Sequence, residues 1–346
     1  MIEVLTNGAL NIVVDSGRRG FMGIGVSHSG PMDALALDIA NVLVGNGPQA
    51  AGIEVSIFPF RVAFSADTII AITGAPCAAQ LGQHRVPPYW ATLARAGDTL
   101  SLQPPEVGAR VYLAAAGGLA VSRVLGSRST EVKGAFGGLQ GRALRRGDRL
   151  EVGRDETDEK RVPRDAAGFG ALTETLREYW GELHTGSVKL RVLPAAEYKE
   201  FTAKARLHFA RAAYEVTAES NRTGARLRGD PLALRSHREL LSHGIVPGTI
   251  QVPPSGEPIV QLVEANTCGG YPKIATVIEC DLWKFGQMRP RTRLNFQLVE
   301  LEEAIEALRG GAAELQELKN TLAPGAERLN RAVTVRGQSC KTPIPT

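Results

Sequence analysis

Residues 60–75, FRVAFSADTIIAITGA, hold two runs of β-branched and aromatic residues separated by Ser65-Ala66-Asp67, the pattern of two short strands joined by a polar turn. Similar segments recur as RVYLAAAGG at 110–118, SVKLRVLP at 187–194, TIQVPPSGEPIVQLVEA at 249–265 and TRLNFQLVEL at 292–301. Between such runs the chain spreads 38 glycines and 20 prolines, so turns are frequent and strands short. A mainly β protein of barrels or sandwiches follows.

A small signature repeats within that pattern. Gly97-Asp98-Thr99-Leu100, Gly147-Asp148-Arg149-Leu150 and, in degenerate form, Arg291-Thr292-Arg293-Leu294 each place a polar turn before an alternating strand. This points to related β units in tandem. At 346 residues the chain also exceeds the roughly 250 at which a single core stops growing, which predicts two domains. The charged stretch RDETDEKRVPRDAAGFG at 154–170 has no apolar period and reads as linker, and ALTETLREYWGEL at 171–183 reads as helical. The expected division is 1–155, a linker at 156–186, 187–308, and a helical, partly disordered tail at 309–346 that opens with the amphipathic end of EEAIEALRGGAAELQELKNTL.

Composition excludes several classes. A hydrophobic content of 43% and a charged content of 22% are ordinary for a globular protein, and no run of about eighteen apolar residues exists. MIEVLTNGALNIVVDSG at 1–17 reads as strand and lacks the flanks of a signal peptide, so the cytoplasm is the expected location. The net charge of +4 is mild and dispersed, which argues against nucleic-acid binding. Cys77, Cys268, Cys280 and Cys340 lack ligand spacing, so no metal site is expected.

One helix stands out among the strands: HSGPMDALALDIANVLVGN at 28–46. From Pro31, residues Met32, Leu35, Ala36, Ile39, Ala40 and Leu43 share one stripe, and Gly45 closes it. That placement makes Gly30 the N-cap, Pro31 the first helical residue and Asp33 an acid at the positive end of the dipole. Small residues Ser27, Ser29 and Gly30 would also let a carbonyl or anionic ligand approach the helix mouth.

The segments GVSHSGPMDALALDIANVLVGN (25–46), LAAAGGLAVSRVLGSRSTEVKGAFGGLQGRALRRGDRL (113–150), SNRTGARLRG (220–229) and GTIQVPPSGEPIVQLVEANTCGGYPKIATVIECDL (248–282) together resemble the allophanate hydrolase subunit 2 family. That family includes the C subunit of 5-oxoprolinase and the second half of the urea amidolyase carboxyltransferase region. The resemblance runs from about Gly17 to Phe296, and LGSRST at 125–130 and GGYPKIATVI at 269–278 make it specific. It implies two tandem cyclophilin-like β-barrel domains and a subunit 1-like partner. The implied reaction is carboxyl transfer, or ATP-dependent amide or lactam hydrolysis, on a small amide, lactam or urea-like substrate. Carboxybiotin or ATP would come from partner subunits, because no methionine adjoins a lysine and no GxxxxGK[ST] loop is present.

Such chemistry needs donors for charge developing on a carbonyl or ureido oxygen and a group to manage the nucleophile's proton. Tyr271, Lys273, Asp281 and Glu264 are the expected catalytic residues. Ser29, Gly30, Asp33, Arg222, Arg226, Gln251, Thr267, Gly269 and Gly270 are the expected substrate-binding ones. Each also has a plainer reading: Lys273 as an exposed charge, Asp281 as a turn residue, Arg222 and Arg226 as partners of an acid such as Asp230, and His28 as a capping or surface histidine instead of a base. Where family members read DRQTTGGYP and SDRMGYRLEG, this chain reads EANTCGGYP and SNRTGARLRG, which leaves the substrate open. Two functions fit: an enzyme subunit of the 5-oxoprolinase or urea amidolyase type, or a non-catalytic protein that antagonises a subunit-1-like kinase inhibitor.

Overall fold

The computed structural model describes residues 1–6, 8–153, 168–236 and 240–338, with side chains as far as Leu322. The N-terminal half consists of two six-stranded antiparallel sheets. In one, the neighbours run Arg149–Leu150, Ile2–Val4, Phe60–Phe64, Thr99–Leu102, Ala79–Leu81 and His84–Val86. In the other they run Phe169–Gly170, Trp90–Ala94, Thr68–Gly74, Val111–Ala115, Gly52–Val55 and Ile12–Val14. The C-terminal half is a closed seven-stranded barrel in the order Ser187–Pro194, Lys273–Val277, Thr249–Gln251, Ile259–Gln261, Gly224–Arg228, Ala213–Val216 and Arg293–Leu298. Its closing pair, Ser187–Pro194 beside Arg293–Leu298, is parallel. Two β units in tandem are therefore present, the first built by packing two sheets and the second by a continuous ladder.

The opening stretch shows why the strands form where they do. In Phe60–Phe64, Phe60, Val62 and Phe64 point to the core while Arg61 faces out, a period of two. Thr68–Gly74 is buried at every position, because a helix covers its second face. That helix, α1, spans Ala34–Leu43, and the Thr73 hydroxyl donates to the Ala36 carbonyl at 2.7 Å. The polar turns at Asp98, Asp148 and Thr292 share one geometry: each side-chain oxygen accepts from the amide three residues back, at 2.8, 2.7 and 3.1 Å. Gly97, Gly147 and Arg291 all take a positive φ. The first two turns sit in the N-terminal half and the third feeds the barrel.

Three further helices are α2 (Glu174–Thr185), α3 (Ala203–Arg211) and α4 (Leu301–Gln338). Residues 156–167 of the expected linker lie outside the described residues, as do 154–155 just before it and 339–346 of the expected tail. The rest of the linker is the strand Phe169–Gly170 and α2, whose Leu176, Tyr179 and Trp180 are buried. Tyr179 meets Trp283 edge-on at 4.7 Å and donates to the Lys284 carbonyl, so α2 is fixed to the C-terminal half. A Cβ on Gly108 would lie 2.9 Å from the Trp180 ring, so the same helix also packs on the N-terminal half. The hydrophobic core runs without a break through both halves. Helix α4 starts at Leu301, so position 308 falls inside one continuous helix. No helix among the described residues is long and apolar enough to cross a membrane.

Candidate functional site

Helix α1 begins three residues later than its apolar stripe predicts. Asp33, expected inside the first turn, is the N-cap: its Oδ1 accepts from the Ala36 amide at 2.9 Å. The cause lies outside the segment. The Met32 amide donates to Glu54 Oε2 and the Asp33 amide to the Tyr112 hydroxyl, both at 2.8 Å, so these two N–H groups are held by strands before the helix starts. Gly30 is likewise no cap, since its carbonyl accepts from Arg222 at 2.7 Å.

Arg222 is the centre of a lock between the halves. It is 6% exposed; its Nε donates to Glu264 at 2.6 Å, one terminal nitrogen to Glu54 and the other to Gly30. Burial alone would raise Glu54, but Arg222 and Arg110 outweigh it and hold that carboxyl below the usual carboxylate range. Tyr112 and Met32 donate to the same carboxylate, so every charge in this buried cluster is partnered. A second lock lies beside it. Gln287 donates to Asp33 Oδ2 at 2.7 Å and accepts from the Ala109 and Arg110 amides at 3.0 Å each. Burial pushes the Asp33 carboxyl up to about 7 despite the hydrogen bonds it accepts.

Between the halves, next to these locks, opens a cleft of about 320 Å³ lined by Ser27, Glu131, Lys133, Phe136, Glu264 and Asn266 among others. Behind the lining residue Ser27, the buried Ser29 has a left-handed φ of 50°, a conformation costly for a residue with a Cβ, held because its amide donates to Val263 of the other half at 2.9 Å. Ser27 bridges Ser29 at 2.7 Å and Glu131 at 3.2 Å. The other Glu131 oxygen accepts from the Gly134 amide. Lys133 reaches across the seam, 3.3 Å from the Glu264 carbonyl and 3.4 Å from Asn266 Oδ1. An ammonium has three donors, and these two contacts leave one for a ligand. The cleft thus offers a cation for a carbonyl oxygen and a carboxylate for an N–H group.

The predicted residues divide into three sets. Ser29, Gly30, Arg222, Glu264 and, through Gln287, Asp33 belong to the seam around the cleft. Gln251, Thr267, Gly269, Gly270, Tyr271 and Lys273 gather near a short two-stranded sheet, His243–Gly244 with Cys268–Gly269, beside the barrel. There a Cβ on Gly269 would fall close to Gln251 Nε2, which is buried without a partner among the described residues while Gln251 Oε1 accepts from Gln261 at 3.0 Å. Lys273 is buried, not exposed; its ammonium caps the Tyr271 carbonyl at 3.1 Å, and desolvation lowers its pKa against the pull of Glu197. Tyr271 stands 47% exposed.

Asp281 and Arg226 make up the third set, apart from both of these sites. The Asp281 carboxylate is gripped by Arg191 at 2.7 and 3.1 Å and by Lys284 at 3.4 Å, which outweigh burial and lower its pKa. Arg226 lies on an outward position of its strand, 3.7 Å from Glu219, so it shares no carboxylate with Arg222, and Asp230 pairs with His208 instead. The His28 ring fills the space beside Gly17 and Gly30, and burial lowers its pKa, which makes it a packing residue that is neutral near pH 7. Glu131, Lys133, Asn266, Glu54 and Gln287 were not among the predicted residues. Glu131 and Lys133 stand two apart directly after LGSRST, an acid and a base around one β-branched residue, and that spacing was the available signal.

A two-part β protein whose halves share a polar cleft across an Arg–carboxylate lock is the class of protein this geometry defines. The chain belongs to the family of the carboxyltransferase domain, subdomain A and B, whose model matches residues 24–298. It is 40% identical to the C subunit of 5-oxoprolinase from Escherichia coli, over 89% of this chain and 94% of that one. Identity to the corresponding 5-oxoprolinase C subunit of Haemophilus influenzae is 34%, over 92% and 98%. Among solved structures, the urea amidolyase of K. lactis superposes with a TM-score of 0.80 at 26% identity, covering 92% of this chain and 20% of that much longer one.

Proposed function

We propose that this chain is the counterpart of the 5-oxoprolinase C subunit in a cytoplasmic, heteromeric enzyme of the 5-oxoprolinase or urea amidolyase type. In it a subunit 1-like partner completes the pocket for a small amide, lactam or urea-like substrate. The observation that carries this reading is the likeness to that C subunit along nearly its whole length. The cleft supports it: Lys133 would hold the substrate carbonyl oxygen as negative charge develops there, and Glu131 would take a hydrogen bond from the substrate N–H and accept its proton. Glu264 is fixed by Arg222, so the wall that positions Lys133 is rigid. Carboxybiotin or ATP enters with the partner subunits. Around Gly269 the second set of residues, Gln251, Tyr271 and Lys273, would form a further part of the pocket where the partner docks.

Co-expression with a subunit 1-like protein, followed by size exclusion and a turnover assay with 5-oxoproline and urea in parallel, tests the proposal. A stable complex that turns over one of them in an ATP-dependent way is expected. A stable complex without turnover on addition of all partner subunits would favour a regulatory binding protein, and two monomers eluting separately at micromolar concentration would overturn the reading.

A further inference from the structure

A second cavity, of about 420 Å³, shares no lining residue with the cleft between the halves. Its walls come from residues 47–51, 117–120 and Gly153, most of them glycine or alanine, and its charged lining residues are Arg123 and Arg128. The wall is built, not accidental. Asn46 clamps its central turn, donating to the Ala115 carbonyl at 2.8 Å and accepting from the Gly117 amide at 2.8 Å. Gly117 and Gly118 then run at φ of 84° and 68°, and a Cβ on Gly118 would already press on Ala50 at 3.1 Å.

Arg128 is half-buried and held at its inner edge. Its Nε donates to the Val121 carbonyl at 3.1 Å and its amide to Asp15 at 2.5 Å, while its terminal nitrogens have no partner among the described residues. Arg123 is exposed and likewise unpaired among the described residues. Two other half-buried arginines are matched by an acid, Arg142 by Asp148 and Arg191 by Asp281. Among the described residues, neither of these two lining guanidinium groups is paired with a carboxylate.

We propose that this cavity binds the phosphate monoester of a small organic molecule. Two guanidinium groups match a phosphate monoester, which carries roughly −1.5 to −2 at neutral pH and presents oxygens in the spacing of the fork, better than they match a single carboxylate. The cavity of 420 Å³ equals more than ten water volumes of about 30 Å³, so a bare phosphate would leave most of it unfilled. The small walls leave room for a ring or short chain beside the phosphate.

This proposal is independent of the proposed activity, since its test uses the full chain alone, without partner or turnover. Isothermal titration calorimetry with adenosine monophosphate, inorganic phosphate and succinate, at low and high salt, provides the comparison. Adenosine monophosphate should bind with a Kd under about 1 mM, roughly tenfold tighter than either small anion, and weaken as salt rises. Arg123→Gln and Arg128→Gln should each weaken it about tenfold. If Arg128→Gln fails to fold because the Val121 contact is lost, the exposed Arg123→Gln decides alone. No saturable binding up to about 10 mM, succinate or free phosphate binding as tightly, or an Arg123→Gln variant that binds like the wild type would each overturn the proposal.

Discussion

Replacing Arg222 with Met keeps much of the side-chain volume and removes the charge that joins the halves. Glu264 Oε1 then loses its ion-pair partner, and Glu54 keeps only Arg110, at 3.5 Å, with Tyr112 and Met32. Breaking a buried pair by removing one partner costs about 3–5 kcal/mol, because the charge left behind is uncompensated. With an unfolding entropy of about 2.1 cal/mol/K for each of 346 residues, that is a fall in Tm of roughly 4–7 °C. The deficit must also depend on pH. In the wild type the Glu54 pKa is lowered, so its contribution is present above its unfolded value of 4.5 and is lost as pH falls through the folded pKa. Without Arg222, burial raises that pKa instead, so the variant's penalty grows with pH above 4.5 and is relieved as acid protonates the carboxyl. Differential scanning calorimetry from pH 5 to pH 8 reads both effects. A variant as stable as the wild type at pH 8, or a deficit that does not shrink toward pH 5, would refute the reasoning that Arg222 works by charge.

Three further outcomes concern Asp33 at the seam, Gly137 and Asp281. Asp33→Ala removes a cap worth about 1 kcal/mol and leaves Gln287 Nε2 without its Asp33 acceptor, for a loss of about 2–4 kcal/mol by thermal melts. Because the Asp33 pKa is raised to about 7, folding through this residue loses stability as pH rises from its ordinary 3.8 to about 7, and the variant should lack that slope. Gly137→Ala, at φ 71° and with a Cβ 2.2 Å from both the Ser129 carbonyl and Arg18, should cost at least about 2 kcal/mol in chemical denaturation. Asp281→Asn should cost about 1–3 kcal/mol by breaking the Arg191 grip, yet leave turnover per folded molecule unchanged in the reconstituted complex.

The strands were legible because their signals are local: alternation in 60–64, and polar turns whose side chains cap the amide three residues back. So was α1, in which Ala36, Ile39, Ala40 and Leu43 are buried as their stripe predicts. Its first residue was not, since Glu54 and Tyr112, distant in sequence, take the amides of Met32 and Asp33. The barrel closes through a parallel pairing between segments about a hundred residues apart, which no local period encodes. Helix α3 went unpredicted: only Ala205 and Phe209 of its nine residues are buried, too thin a stripe to read. For the site, residue types near Gly269 suggested donors, and the structure places Lys273 over a carbonyl there. The cleft itself joins Glu131 and Lys133 to Glu264, more than 130 residues away, so its composition emerges only when the halves pack. The two acids expected to be catalytic are both gripped by arginine, Asp281 by Arg191 and Glu264 by Arg222, whereas Glu131, which was not among them, keeps to hydroxyl and amide donors at a cavity wall.

The central claim is that the cleft between the halves is where the substrate reacts, and the turnover of Lys133→Ala in the reconstituted complex tests it most directly. Lys133 is held by two acceptors across the seam and not by the core, so the variant should fold, melt within about 1 °C of the wild type and bind its partner normally. Loss of one preformed donor to a developing oxyanion should lower kcat on the order of a hundredfold, about 3 kcal/mol. A folded, partner-bound Lys133→Ala complex that keeps kcat within twofold of the wild type, roughly 0.4 kcal/mol, would contradict the account.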